Sequence, residues 1–119
     1  MNVAIVGASH KVDRYSNKAL KLLREKGHIV FPIHPRLKEI DGVKVFSSLK
    51  DISEKIDTIT FYVGQNISSM MTQDVIGICP RRIIFNPGAE NPDLLKKAQE
   101  NNIDAINACT LVLLSTQQF

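Results

Sequence analysis

Between strand-like and helix-like stretches near the start, the chain reads Gly7-Ala8-Ser9-His10-Lys11-Val12-Asp13-Arg14-Tyr15-Ser16. Three small residues in succession allow a ligand to approach the backbone. Ser9 adds a hydroxyl, and Lys11 and Arg14 add positive charge. Backbone N–H donors, a nearby helix start and cations are what a phosphate requires. Only the first glycine of the G-x-G-x-x-G fingerprint is present, so the loop on its own also fits a structural turn. The charge distribution favours an anion site. Met1 to Arg36 holds seven basic residues against two acids, whereas the remainder holds eight against ten,. Lys18, Lys21 and Arg24 suit the solvated face of a helix. Lys11 and Arg14 precede that helix, where a solvated face explains them less well.

A second cluster, His34-Pro35-Arg36, follows the second strand-like run. An NAD site ordinarily ends that strand with an acid for the ribose 2′-hydroxyl. An arginine there suits a phosphate. NADP and coenzyme A both carry a ribose phosphate, and at this point both remain open. His34 fits a ligand contact and a plain loop histidine equally well. Cys109 follows the fifth strand-like run. It faces the mouth of the crevice or is buried as a small hydrophobe, the commoner fate of a free cysteine. Cys79, before Pro80, reads as structural.

These loops need a scaffold, and the hydrophobic pattern supplies one. Val3-Ala4-Ile5-Val6 is a short apolar run of the kind that forms a buried parallel strand. Ser16 is a suitable N-cap for a helix over Asn17–Lys26, with Ala19, Leu20, Leu22 and Leu23 as its apolar stripe and Gly27 as its stop. Strands are expected at His28–Ile33, Asp57–Val63, Arg82–Phe85 and Ile103–Ala108, with a short extended piece at Val43–Phe46. In the third strand Ile59, Phe61 and Val63 share one face. Helices are expected at Leu49–Lys55, capped by Ser47 or Ser48, at Ile67–Gly77, and from Pro92 to Asn101. The conformation of the apolar tail Leu111–Leu114 is left open. Strands alternating with helices over short connections predict an α/β fold: a Rossmann-like three-layer αβα sandwich on a five-stranded, mostly parallel sheet, in the order 3-2-1-4-5. Ligands in such folds bind beyond the carboxyl ends of the strands.

With 119 residues the chain makes a single domain, residues 1–119,. No apolar run approaches the ~20 residues of a membrane helix. The first residues lack the basic segment of a signal peptide. Two cysteines without metal spacing suit a reduced, cytoplasmic protein. No basic stripe interleaved with aromatics points to nucleic acid. A receiver domain would place acids after the first strand and an Asp at the end of the third, where this chain has Ala8-Ser9 and Tyr62-Val63. The Ser/Thr-rich loop of a flavodoxin, the G-x-S-x-G elbow and C-x-x-C are all missing.

The succession V-A-I-V-G-A-S, K-x-x-R-Y-S-N, K-G-H, V-F-P-I-H-P, I-D-G-V-K-V-F-x-S-L, D-T-I-T-F-Y-V, N-P-G-A-E-N and N-A-C resembles the bacterial coenzyme A-binding protein family almost end to end. That family is a stand-alone Rossmann-like domain, similar to the amino-terminal domain of the α subunit of succinyl-CoA synthetase. The resemblance implies that Gly7, Ala8, Ser9 and the Lys11–Ser16 segment hold the pyrophosphate, with His10 in the same loop. It implies that His34, Pro35 and Arg36 lie near the adenosine ribose. Tyr62 and Val63 would flank the adenine or pantetheine path, and Asn86, Pro87 and Gly88 would close the far side. There is one departure: the ligase relatives follow the third-strand Val with prolines, and here Gly64-Gln65-Asn66 follows it. The implied function is a non-catalytic module for coenzyme A or acyl-CoA, without nucleic-acid or membrane partners and with homo-oligomerisation left open. The rival readings are an NADP-linked reductase or redox sensor, and an interaction protein that has lost its ligand.

Overall fold

β1 (Asn2–Val6) is the centre from which the fold is built, because both of its edges are paired and four of its five side chains are buried. The computed structural model describes residues 1–119. After β1 come α1 (Tyr15–Glu25), β2 (Ile29–Ile33), β3 (Glu39–Ile40), β4 (Val43–Lys44), a 3-10 turn (Leu49–Asp51) and β5 (Thr58–Phe61). Then follow α2 (Gln65–Ser69), α3 (Thr72–Ile78), β6 (Arg82–Phe85), α4 (Pro92–Glu100), β7 (Asp104–Asn107) and α5 (Thr110–Ser115). No helix is long and apolar enough to cross a membrane.

The α/β class and the five-stranded parallel sheet are as expected, but the strand order is not. The sheet runs β2-β1-β5-β6-β7. Counted over its five strands this is 2-1-3-4-5, the other common doubly wound order, and it replaces the expected 3-2-1-4-5. Pro32 supplies a physical reason. In the expected order the second strand is central, and proline, which has no N–H, is found essentially only on edge strands. Here β2 is the edge. Its outer side is covered by a strap in which Phe46 N–H donates to the Pro32 carbonyl at 2.9 Å and His34 N–H donates to the Phe46 carbonyl at 3.0 Å. The strap contains the β3–β4 hairpin, whose two-residue turn is Asp41-Gly42, both at positive φ. Asp-Gly is a preferred pair for such a turn.

The strands bury both faces. Ile59 and Phe61 of β5 pack with Val6, Ile83 and Phe85 beneath α3 and α4. Phe61 and Phe85 stack with ring centroids 5.3 Å apart. Val3, Ile5 and Val30 face Leu20 and Leu23 of α1 and Leu114 of α5. At the end of α1, Gly27 N–H bonds to the Arg24 carbonyl and His28 N–H to the Leu23 carbonyl. This is a Schellman stop with Gly27 at positive φ, as its position in the sequence predicts,. Pro92 occupies the first turn of α4, with Asn91 as the cap,.

Three local expectations are corrected. The first helix opens at Tyr15 with Arg14 as its cap, and Ser16 lies inside it, because the Arg14 carbonyl accepts from both Asn17 and Lys18. Leu49–Lys55 forms only a 3-10 turn, capped by the Ser48 hydroxyl. The helix expected over Ile67–Gly77 is two helices broken at Met70–Met71. At that break the Asn91 amide donates to the hydroxyls of Ser68 and Ser69 at 2.7 and 3.1 Å, a tertiary contact that pins the end of α2.

Candidate functional site

From β1 the chain passes to β2 on one side, while β5 lies on the other, so the switch point of the sheet falls between β1 and β5. A crevice of about 850 Å³ opens there at the carboxyl ends of the strands. This is where such a fold accepts ligands, and the volume is that of a small-molecule site.

Gly7 shapes its floor. Its φ is +90°, and a Cβ there would meet Val63 Cγ1 at 2.8 Å and the Tyr62 carbonyl carbon at 3.1 Å. The glycine therefore lets the β1 turn pack against the end of β5. Ala8 is buried, and its N–H donates to the Ile33 carbonyl at 3.2 Å, which commits it to the sheet. Ser9 is held twice. Its hydroxyl accepts from Lys11 N–H at 3.1 Å, and its carbonyl accepts from the buried amide of Asn17 at 2.9 Å. The N–H groups of Ser9, His10, Tyr15 and Ser16 have no acceptor within the chain. All four residues line the crevice, as do Lys11 and Arg14, and none of His10, Lys11 and Arg14 is in an ion pair. No acid occupies the first turn of α1. The arrangement presents donors and positive charge to an anion.

On the β2 side, His34 and Pro35 line the crevice beside Ser47 and Ser48. The His34 Nδ1 accepts from the N–H groups of both Arg36 and Leu37 at 3.0 Å. This shapes the loop and leaves the ring proton on Nε2. Arg36 is exposed, unpaired and just outside the wall.

On the β5–β6 side, Tyr62, Val63, Pro87 and Gly88 line the crevice, with Gly88 N–H already donating to a Glu90 carboxylate oxygen at 3.0 Å. The Tyr62 hydroxyl is buried without a partner in good hydrogen-bond geometry. Burial pushes its phenol up to about 12, against the pull of the neighbouring Thr110 and Thr60 hydroxyls,. Asn86 lies beneath the wall. Its amide nitrogen donates to Thr60 Oγ1 at 2.6 Å and to the Phe61 carbonyl at 2.8 Å, and its amide oxygen accepts from Thr110 N–H at 2.8 Å. The Thr60 and Thr110 hydroxyls are themselves 2.8 Å apart. Cys109 is half-buried at the start of α5 and is not on the crevice wall.

The structure thus brings Gly7 to Lys11, Arg14 to Ser16, His34, Pro35, Tyr62, Val63, Pro87 and Gly88 around one crevice, and leaves Arg36, Asn86 and Cys109 off its wall. Sequence reasoning did not identify the α2–α3 contribution of Ile67, Met70, Met71 and Asp74. The i, i+3, i+4 spacing of the first three was a usable signal for a shared face. Nor did it identify Asn17, which fixes Ser9. No group of three or more His, Cys, Asp or Glu side chains is placed to hold a metal.

The signature of the CoA binding domain family matches residues 1–115. The uncharacterised protein YneT of Bacillus subtilis (strain 168) is 37% identical over 60 residues, 50% of this chain and 44% of that protein. An ADP-forming acetate–CoA ligase of Methanocaldococcus jannaschii is 32% identical over 62 residues, 52% of this chain and 9% of that protein. The matched stretches span less than half the length of either curated relative. A crystal structure of an uncharacterised protein superposes with a TM-score of 0.93 at 32% identity, covering 99% of this chain and 97% of that one. A match that runs from β1 through α5, on a fold whose crevice opens at the β1/β5 switch point, places this chain in the CoA binding domain family.

Proposed function

We propose that the crevice binds coenzyme A or one of its thioesters, and that the chain acts as a binding module without chemistry of its own. The observation that carries this is the unpartnered N–H set of Ser9, His10, Tyr15 and Ser16 beside Lys11 and Arg14 at the switch point. A pyrophosphate is the group these donors suit. From there one arm of the ligand runs past His34, Pro35, Ser47 and Ser48, and the other runs past Tyr62, Val63 and Pro87. Arg36, exposed and unpaired beside the first arm, would meet the ribose 3′-phosphate. Family membership and the likeness to a CoA ligase support the same ligand.

Titration calorimetry tests the proposal. Coenzyme A should bind, NAD should not, and Lys11→Ala/Arg14→Ala should weaken binding at least tenfold, with a smaller loss at high salt. Dephospho-coenzyme A should bind more weakly than coenzyme A, and Arg36→Ala should erase that difference. Binding of NADP with no binding of coenzyme A would overturn the proposal in favour of a redox role.

A further inference from the structure

The crevice is polarised along its length. His10, Lys11 and Arg14 come from the loop before α1, whereas the stretch from the end of β5 through α3 contributes Val63, Ile67, Met70 and Met71, together with Asp74. Ile67 and Met70 are 54% and 85% exposed, and both lie on the rim. Large apolar side chains grouped at the lip of a cavity mark a surface that a ligand covers. The rim is also held in place, since Asn91 anchors the end of α2 through Ser68 and Ser69. Asp74 repels phosphate from this end and so favours one orientation of an anionic ligand.

Resting on the coenzyme A reading, we infer that the form selected is an acyl thioester with a medium or long chain, in preference to the free thiol. The phosphates face α1 and the acyl chain crosses Ile67, Met70 and Met71. A polar pantetheine arm ending in a thiol gives these side chains little to cover, whereas an alkyl chain does. Methionine suits the task because its unbranched thioether adapts to chains of different length.

The test is calorimetric titration of coenzyme A, acetyl-CoA and octanoyl-CoA into the wild type and into Ile67→Ser/Met70→Ser. Both substitutions are at exposed positions, so the variant should fold. Octanoyl-CoA should bind the wild type at least tenfold tighter than coenzyme A, with acetyl-CoA close to coenzyme A. In the variant the octanoyl preference should fall to threefold or less. If coenzyme A binds and the wild type shows no octanoyl preference, the inference fails while the coenzyme A reading stands. A preference that survives in the variant also overturns it, because the chain is then held elsewhere. If neither coenzyme A nor its thioesters bind, the underlying reading has failed.

Discussion

Gly7 and Gly27 have nearly the same φ, +90° and +87°, in very different surroundings. A Cβ on Gly27 would meet nothing within 4 Å, whereas one on Gly7 would sit 2.8 Å from Val63 Cγ1 and 3.1 to 3.2 Å from the Tyr62 carbonyl group. Alanine at either position carries the cost of a left-handed residue, about 1–2 kcal/mol. At position 7 it also drives a methyl group into the end of β5, where part of the obstacle is backbone and cannot rotate away. Overpacking of that kind adds roughly 1–3 kcal/mol. Gly27→Ala should therefore cost about 1–2 kcal/mol, and Gly7→Ala about 2–5 kcal/mol. Urea unfolding without ligand measures both, read as a shift in midpoint at constant slope. Equal losses would refute the reasoning: the β5 end would then be yielding freely, and Gly7 would be required by its torsion alone. Loss of ligand affinity in Gly7→Ala with full stability would refute it too, by making the glycine a ligand contact in place of a packing one.

Asn86→Ala should destabilise by about 2–4 kcal/mol, since it removes three hydrogen bonds and leaves the buried Thr110 N–H unmatched,. Asn101→Ala, an exposed control, should cost under about 1 kcal/mol in the same unfolding assay. Tyr62 predicts an alkaline limb. Its folded value of about 12 exceeds the ordinary 10.0, so its stabilising contribution is complete below pH 10 and is lost as the pH rises to 12. The loss is about 1.4 kcal/mol per pH unit, on the order of 3 kcal/mol in all. Tyr62→Phe should lack that part of the decline, and a superimposable decline would show that the phenol ionises freely in the folded chain.

Much of this fold is legible from short-range signals. Gly27 and Pro92 announce a helix end and a helix start because each solves a local backbone problem. The alternation of Ile59, Phe61 and Val63 assigns a face because a strand has a period of two. The strand order was less accessible, since it depends on which edges meet. Even so, Pro32 in the second strand carried the information that this strand needs a free edge, and Asp41-Gly42 carried the hairpin that covers it. At the crevice, the basic loop and His34-Pro35 could be found from residue type. The break in the α2–α3 wall was less accessible than its apolar face, because the contact that pins the end of α2 there comes from Asn91, about twenty residues further on. Asn86 shows the opposite case: a polar residue in the expected loop is committed to holding the scaffold together.

The bonds of Asn86 have a consequence for the order in which the chain matures. They join residues 24 to 26 positions away on either side, from Thr60 to Thr110. A nascent chain that has emerged only as far as α4 carries the Asn86 amide without its Thr110 partner. The emergence of α5 closes the last bond. The domain is therefore expected to mature only once α5 has emerged, and as one unit. A protease that cuts between β7 and α5 should let α5 leave and strip the Asn86 amide oxygen of its Thr110 partner.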